Sequence, residues 1–219
     1  MLVLANTGGI ANTNAYLVAD ESSGKAVIFD APNDTVAPLI AETKRRGWEV
    51  IGLWLTHGHF DHIADHTLVT SAFPDARVLI HRLDEPKLLR PNSSFFPLPF
   101  AIPPRRADDY LDDGQELQIG SIKVRVIHTP GHAPGHVMFH LPDEGALIGG
   151  DLIMMGAIGR TDLPDSDPAA VFPSIRKVMQ LPESTQLLPG HGSPNTLAQE
   201  RAGNPYVQAA LAGRDDLLR

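Results

Sequence analysis

The chain has 219 residues, of which 42% are hydrophobic and 20% are charged, and this near-average globular composition excludes wholesale disorder. Acidic residues outnumber basic ones by 26 to 18, and the formal net charge of −8 argues against a nucleic-acid partner. There are ten histidines but no cysteine, which excludes disulfides, thiolate metal sites, iron–sulfur clusters and a cysteine nucleophile.

Apolar patterns in the first half of the chain alternate between those of strands and those of helices. A helix is predicted to begin after Thr35, which would be its N-cap, and to end at Gly47. A second helix is predicted over about 62–73, where Pro74 would end it. Alternating or continuous apolar residues predict strands at 2–5, 14–19, 25–30, 50–55 and 77–80.

The second half repeats this order after a proline-rich stretch, 91–104, that is expected to be an irregular loop. A helix is predicted over 168–180 with a break near Pro173, and Thr196 and Gln199 have the spacing of a capping box before a tail helix. Strands are predicted at 122–126, 137–141, 146–148 and 186–188. Two such runs of strands and helices predict an α/β fold in which outer helices cover two mixed sheets.

The sequence gives no sign of a membrane association. No uncharged apolar run approaches the roughly 18 residues of a membrane-spanning helix. Residues 1–5 lack the basic region and the long apolar region of a signal peptide. We therefore expect one cytoplasmic domain over 1–219 with a short helical C-terminal tail, present as a monomer or homodimer.

Four segments of the chain share a design that points to chemistry. Each is an apolar strand that ends in a turn containing glycine or proline together with histidine or aspartate: 56–62, 129–132, 149–151 and 189–192. Turn residues at strand ends direct their side chains into one rim, so we expect these groups to converge. Imidazole and carboxylate are ligands that suit zinc, iron or manganese.

The first of these segments carries most of the candidate ligands. His57 and His59 are two residues apart, and so they point to the same side of an extended loop. Asp61 and His62 follow where the next helix begins. So many polar groups after a buried strand are costly unless something pairs with them, and a bound cation would do so. Surface histidines at a polar helix start are the alternative, which the fourfold repetition of the design disfavours.

These residues resemble the metal-binding motifs of the metallo-β-lactamase superfamily. The match consists of the run from His57 to His62, followed in order by His132, Asp151 and His191, and it covers nearly the whole chain. The resemblance implies a four-layer αβ/βα sandwich of two mixed β-sheets, with a two-metal site at one edge of the paired sheets.

The resemblance also implies a ligand set and a mechanism. Two divalent ions are implied, zinc first, with iron or manganese as alternatives. They would share a bridging hydroxide that attacks a carbonyl carbon, with Asp61 as the catalytic residue that orients it. By position, one metal would be held by His57, His59 and His132, the second by Asp61, His62 and His191, and Asp151 would bridge the two.

The segment 156–164 is similar to that of the single-domain glyoxalase II-like proteins, which resemble hydroxyacylglutathione hydrolase. This similarity implies a hydrolase of small-molecule thioesters, with glutathione as one candidate thiol carrier. The chain departs from that pattern at Asp165-Ser166, where a glycine pair is expected. Only residues 192–219 follow His191, and we expect this to leave no room for the helical C-terminal domain that supplies much of the glutathione site in full-length glyoxalase II.

Three more residues are candidates for supporting roles. Arg160 and Asp162 would either shape the active-site loop, with Arg160 facing an anionic substrate group, or form an ordinary loop ion pair. His136 lies four residues after His132 and would either support the site or begin a strand.

A mononuclear-iron persulfide dioxygenase of the same fold is the main alternative function. It would bind iron through His57, His132 and Asp151. The continuation Leu163-Pro164 and the intact second ligand set favour the hydrolase. A lactonase or another ester hydrolase is a further alternative, whereas the acidic charge balance disfavours ribonuclease-type processing.

Overall fold

Six strands of the first half of the chain form one mixed sheet. The computed structural model describes residues 1–91 and 97–217. The strands are β1 (Leu2–Gly8), β2 (Thr13–Asp20), β3 (Lys25–Phe29), β4 (Glu49–Trp54), β5 (Arg77–His81) and β6 (Asp109–Leu111). They are paired in the order β1-β2-β3-β4-β5-β6. The first three strands are antiparallel, and β3 to β6 are parallel.

The strands of the second half form another six-stranded sheet and a separate hairpin. They are β7 (Glu116–Ile119), β8 (Ile122–His128), β9 (Val137–Leu141), β10 (Ala146–Gly150), β11 (Ile153–Met154), β12 (Ala157–Ile158), β13 (Gln186–Pro189) and β14 (Asn195–Thr196). The sheet has the order β14-β13-β10-β9-β8-β7, and β11 pairs only with β12. Within this sheet β10 and β13 are parallel, and the other neighbours are antiparallel.

Three buried apolar clusters define four layers. The helices are α1 (Ala37–Arg46), α2 (Phe60–Ile63), α3 (His66–Ala72), α4 (Glu85–Leu89), α5 (Pro168–Val178), α6 (Leu197–Gly203) and α7 (Pro205–Leu211). Between the sheets, the rings of Phe29 and Phe139 lie 4.9 Å apart. A second cluster joins the first sheet to α1 and α3, and a third joins the second sheet to α5 and α7. The predicted αβ/βα sandwich is therefore confirmed.

The parallel strand pairs explain why the polar loops meet. Because β3 and β4 run in the same direction, Asp30 and the loop after Trp54 leave the first sheet at one edge. In the second sheet, the pairing of Gly150 with Pro189 brings the residues that follow β10 and β13 side by side. An isolated bridge between Thr13 and His191 links the two sheets at that edge.

Two helix predictions were wrong at their starts or in their continuity. The predicted helix over 62–73 is divided into α2 and α3, because the N–H of Asp65 donates to the carbonyl of Ala31 instead of continuing the helical pattern. The N-cap of α1 is Val36 rather than Thr35. The hydroxyl of Thr35 donates to the carbonyl of Asn33, and so it does not cap the helix.

The predicted break near Pro173 is also wrong, because α5 runs through that residue. Phe172 and Ile175 on either side of it are buried against the second sheet, and this packing keeps the helix continuous. The strand at 186–188 is not the last, since β14 follows it. The capping box of Thr196 and Gln199 is confirmed.

The proline-rich stretch 91–104 is only partly described. Residues 92–96 lie outside the described residues, and 97–104 contain no helix or strand. In the described residues, no helix combines the length and the apolar character needed to cross a bilayer.

Candidate metal centre

The loop between β4 and α2 is held by a carboxylate that the sequence analysis did not single out. Asp30 Oδ1 accepts the backbone N–H of Thr56 at 2.8 Å, and Asp30 Oδ2 accepts the Thr56 hydroxyl at 2.8 Å. His62 Nδ1 lies 2.8 Å from the same Oδ2. Asp30 follows an apolar strand directly, which is the design of the four predicted segments, so that pattern was the available signal.

All seven predicted ligands are brought together. The structure contains three groups whose ligand atoms lie within 4.8 Å of one another. Since His57 and His62 each belong to two of these groups, the groups form one continuous centre. The groups are His57, His59 and His132; His57, His62 and Asp151; and Asp61, His62 and His191.

Histidine nitrogens on the inside of the centre lack protein partners. Among the described residues, His57 Nε2, His62 Nε2 and Asp151 Oδ1 are buried without a hydrogen bond. His62 Nε2 faces Asp151 Oδ1 at 3.4 Å, and His191 Nε2 faces Asp151 Oδ2 at 3.2 Å. Buried polar atoms are rarely left unpaired, because each costs about 1–3 kcal/mol. A bound cation would satisfy them, so the residues present fit a metal site.

Hydrogen bonds on the outside of the rings fix their tautomers. The Thr56 hydroxyl donates to Asp30, so its oxygen accepts from His57 Nδ1–H at 3.0 Å. His132 Nδ1–H donates to the carbonyl oxygen of Arg160 at 2.8 Å. In both rings Nε2 therefore keeps a free lone pair on the inner side, which is the form that binds a metal.

The charges of the centre favour a cation. Burial would lower the pKa of His62, but the carboxylates of Asp151, Asp30 and Asp61 outweigh it and hold that pKa well above its usual value. Burial likewise opposes, but hydrogen bonds to Asp151 and Asp61 raise the pKa of His191 to about 10.

Two further pKa shifts complete this electrostatic picture. The pKa of Asp61 is lowered to about 2, because His62 and His191 outweigh the effect of burial. Burial, followed by the neighbouring His62 and His59, lowers the pKa of His57 well below its usual value. The metal-free centre thus combines anionic carboxylates with both protonated and neutral imidazoles, and its protons occupy places that a metal would take.

The two carboxylates of the centre are held by specific donors and acceptors. Thr13 Oγ1 donates to Asp61 Oδ2 at 2.9 Å. The backbone N–H of Asp151 donates to His136 Nε2 at 2.9 Å, and His136 Nδ1 lies 2.8 Å from the Thr129 hydroxyl. His136 is fully buried. It therefore supports the backbone of Asp151 and is not a member of the three ligand groups.

The loop of His191 is fixed by β2. Asn14 Nδ2 donates to the carbonyls of Pro189 and Gly192, each at 2.9 Å. The Tyr16 hydroxyl donates to the same Pro189 carbonyl at 2.8 Å. These contacts join residues about 175 positions apart in the chain, so no local pattern in the sequence could have indicated them.

Two glycines are required by close approach to the ligands. A Cβ at Gly159 would collide with the carbonyl oxygen of Asp151 and lie 2.9 Å from His132 Nδ1. A Cβ at Gly190 would collide with Asp151 Oδ1 and lie 2.9 Å from His62 Cε1. Any larger residue at either position would displace a side chain of the centre.

Arg160 contributes its backbone rather than its side chain. Its guanidinium forms a bidentate pair with Asp162 at 2.8 and 2.9 Å, and the two side chains are 59% and 70% exposed. Exposed pairs of this kind stabilise a protein little. The carbonyl oxygen of Arg160, in contrast, holds His132.

A cavity of about 620 Å³ opens over the metal centre. His59, Asp61, His132, Asp151 and His191 lie at its base. Much of its remaining described wall is apolar, formed by Ala11, Phe60, Met154, Ile158 and Leu163. A small molecule of this volume with an apolar group would fit beside the ligands.

The profile of the metallo-beta-lactamase superfamily matches residues 8–191. The chain therefore belongs to the metallo-β-lactamase superfamily. All seven candidate ligands lie inside the matched range, from His57 to His191.

Two curated relatives have names that describe an activity. The Bacillus subtilis protein named "Probable metallo-hydrolase YqgX" is 32% identical over 203 residues, which cover 91% of this chain and 94% of the relative. Hydroxyacylglutathione hydrolase of Ruegeria pomeroyi is 30% identical over 182 residues, which cover 83% of this chain and 63% of that enzyme. The predicted relationship to hydroxyacylglutathione hydrolases is thus confirmed as a distant homology.

Two solved structures are also similar over nearly their whole length. BLEG-1, described as a B3 metallo-β-lactamase, has a TM-score of 0.85 and 34% identity, and the match covers 94% of this chain and 99% of that one. TTHA1623, solved in a di-iron-bound form, has a TM-score of 0.78 and 34% identity, with coverage of 93% and 99%.

Proposed function

We propose that the protein is a metal-dependent hydrolase of thioesters, similar in activity to hydroxyacylglutathione hydrolase. One observation carries the proposal: His/Asp groups from both sheets converge on one centre, with buried atoms that lack a protein partner. The relatives support the reaction class, since one is named as a metallo-hydrolase and another as a thioester hydrolase.

The chain offers places for two divalent ions. One would be held by His57, His59 and His132, the second by Asp61, His62 and His191, and Asp151 lies beside both groups. When bound, such ions lower the pKa of water toward about 7 and polarise a carbonyl oxygen. Zinc is our first candidate. Iron and manganese suit the same ligands, and the di-iron form of TTHA1623 supports iron.

Asp61 is the residue proposed to orient the attacking water. Its side chain lies at the base of the cavity, and the Thr13 hydroxyl holds its Oδ2. The low pKa of Asp61 keeps its carboxylate available as a hydrogen-bond acceptor at neutral pH. A carboxylate held in this way can accept a proton of the water and point its lone pair toward a bound carbonyl group.

The cavity supports a substrate with an apolar acyl group. Met154, Ile158 and Leu163 border the space above the ligands, where the acyl chain would pack. Glutathione is one candidate for the thiol part. The alignment with the Ruegeria pomeroyi enzyme spans 63% of that protein, so specificity for glutathione is part of the proposal and is to be tested separately.

The test combines metal analysis with a substrate panel. Purified protein is analysed for metal content, and then assayed with acyl-glutathione, acyl-coenzyme A and simple acyl-thiol esters of increasing chain length. We expect hydrolysis of at least one thioester class. His59→Ala and Asp151→Ala should lose metal and activity but remain folded. His81→Ala is the matched control, because His81 stacks on His128 outside the three ligand groups.

Other outcomes would assign a different member of the superfamily. Protein that retains about two metals but hydrolyses no thioester would contradict the proposal. Turnover of β-lactams or lactones alone would assign those substrates, and the similarity to BLEG-1 makes β-lactams a necessary part of the panel. Oxygen uptake with glutathione persulfide on iron-loaded protein would assign the dioxygenase.

A further inference from the structure

His59 is oriented differently from three other histidines of the centre. His57, His62 and His132 each turn Nδ1 outward to a protein group. The Nδ1 of His59 instead lies 2.8 Å from His132 Nε2, inside the centre. Its outer nitrogen is therefore Nε2, which is buried and has no hydrogen-bond partner within residues 1–91 and 97–217.

Asp165 faces this outer nitrogen. Its Oδ2 lies 3.5 Å from His59 Nε2, and a movement of about 0.5 Å would close this distance to a normal hydrogen bond. The next residue, Ser166, donates its hydroxyl to the carbonyl of His132 at 2.8 Å. The two residues that depart from the expected glycine pair thus both approach histidines of one ligand group.

Lys87 holds Asp165 in this position. Its Nζ lies 2.7 Å from Asp165 Oδ2 and 2.8 Å from Asp84 Oδ1. Asp84 is fully buried and accepts the backbone N–H groups of Gly58 and Gly135 at 2.7 and 2.8 Å. The series Asp165–Lys87–Asp84 therefore connects the segment that carries Asp165 to both loops that supply the histidines of this group.

We infer that Asp165 is a positioning residue for metal binding by His59. Its carboxylate accepts from Nε2–H, and this directs the lone pair of Nδ1 into the group formed by His57, His59 and His132. A carboxylate behind a ligating histidine fixes its tautomer and ring orientation and increases its basicity. The inference concerns metal binding, so it can be tested without knowledge of the substrate.

The test is a chelator titration of metal-loaded protein, with metal per chain as the readout. Loss of such an outer carboxylate typically costs about 10- to 100-fold in metal affinity, and we expect this loss for Asp165→Ala. Asp165→Asn keeps an oxygen that accepts from Nε2–H, so its loss should be clearly smaller. Lys87→Met should weaken binding in the same direction, because Asp165 then loses its cation.

Asp162→Ala is the matched control in the same loop, since Asp162 is exposed and pairs only with Arg160 among its described contacts. It should leave metal affinity within about two-fold of the native value. The thermal midpoint of the metal-free protein is measured for every variant, and it should be the same for Asp165→Ala and Asp162→Ala.

Three results would overturn the inference. The first is native metal affinity in Asp165→Ala. The second is a loss of affinity that matches an equal loss of metal-free stability in both Asp165 variants, which would indicate a general structural role. The third is a raised KM with unchanged metal content, which would mean that Asp165 acts on the substrate through Lys87.

Discussion

His136 accepts the backbone N–H of Asp151 through Nε2 at 2.9 Å, from a fully buried position. Burial lowers the pKa of His136 well below its usual value, so the ring is neutral. Its Nδ1–H is then the donor to the Thr129 hydroxyl. A histidine that is absent from the three ligand groups thus sets the backbone from which the central carboxylate projects.

This relationship predicts different effects for two substitutions of His136. His136→Leu removes the acceptor and leaves a buried N–H unpaired, at a cost of about 1–3 kcal/mol in the free energy of unfolding. His136→Gln places an amide oxygen near the position of Nε2 and should retain more stability and more metal. Urea unfolding and metal analysis of both variants test this. Equal metal content in the two variants would contradict the role.

Gly190 provides a second prediction, because a Cβ there would collide with Asp151 Oδ1. Gly190→Ala should lose metal and activity, since the carboxylate or the loop must move. Gly203→Ala is the control: nothing lies within 4 Å of its added Cβ, and its backbone has no positive φ. That substitution should be neutral or stabilise by about 0.5–1 kcal/mol. Native metal content in Gly190→Ala would show that the loop yields easily.

The pKa of His191 gives a prediction for the pH dependence of the metal-free protein. The folded pKa of about 10 lies above the usual 6.5, so the proton on His191 stabilises the folded state. This contribution is fully present below pH 6.5, decreases as pH rises, and is lost above about pH 10. Chelator-treated protein should therefore lose unfolding free energy across this range in denaturant titrations.

His191→Ala is the test of that assignment. The variant should have a flatter stability profile between these pH values, whereas His81→Ala should follow the native profile. Because metal ligands must be deprotonated, zinc binding at neutral pH should also release a proton from His191, which calorimetry in buffers of different ionisation enthalpy measures. The same slope in native protein and His191→Ala would place the titration elsewhere.

Asn204 links the C-terminal helices to the cavity wall. Its Oδ1 accepts the N–H of Tyr206 and caps α7, and its Nδ2 donates to the carbonyls of Met154 and Ala157 in the β11–β12 hairpin. Asn204→Asp keeps the cap but removes the donors and places a second carboxylate beside Glu200. It should therefore be more destabilising than Asn204→Ala.

The loss in Asn204→Ala should exceed the cost of a helix cap alone, which is about 1 kcal/mol. Thr196→Ala supplies that reference, because Thr196 caps α6 with no printed bond to the hairpin. Urea midpoints and KM for long-chain thioesters measure the two effects. If Asn204→Asp is as stable as the native protein, the contact with the hairpin has no energetic weight.

The candidate ligands and the layered fold could be predicted from the sequence because both leave local patterns. The run from His57 to His62 places four polar groups directly after a buried strand, and alternating apolar residues mark strands such as β8. Elements of two to five residues, such as β11, β12 and α4, have no usable periodicity and were not predicted.

The contacts behind the ligands could not be predicted for a different reason. Asp30 with His62, Arg160 with His132, and Asp165 with His59 are contacts between residues that are far apart in the chain. The predicted helix at 62–73 failed in the same way, because the N–H of Asp65 has a partner in Ala31. Tertiary pairing decided these features, and no window of the sequence contains both partners.

The order of the ligands along the chain has a consequence for biosynthesis. Asp151 and His191 follow β10 and β13, whose parallel pairing requires the last quarter of the chain. A nascent polypeptide on the ribosome therefore displays the earlier histidines long before their partners emerge, and it can hold an ion only weakly. Capture of the full complement of metal becomes a late event of maturation, and it marks molecules whose two halves have closed on each other.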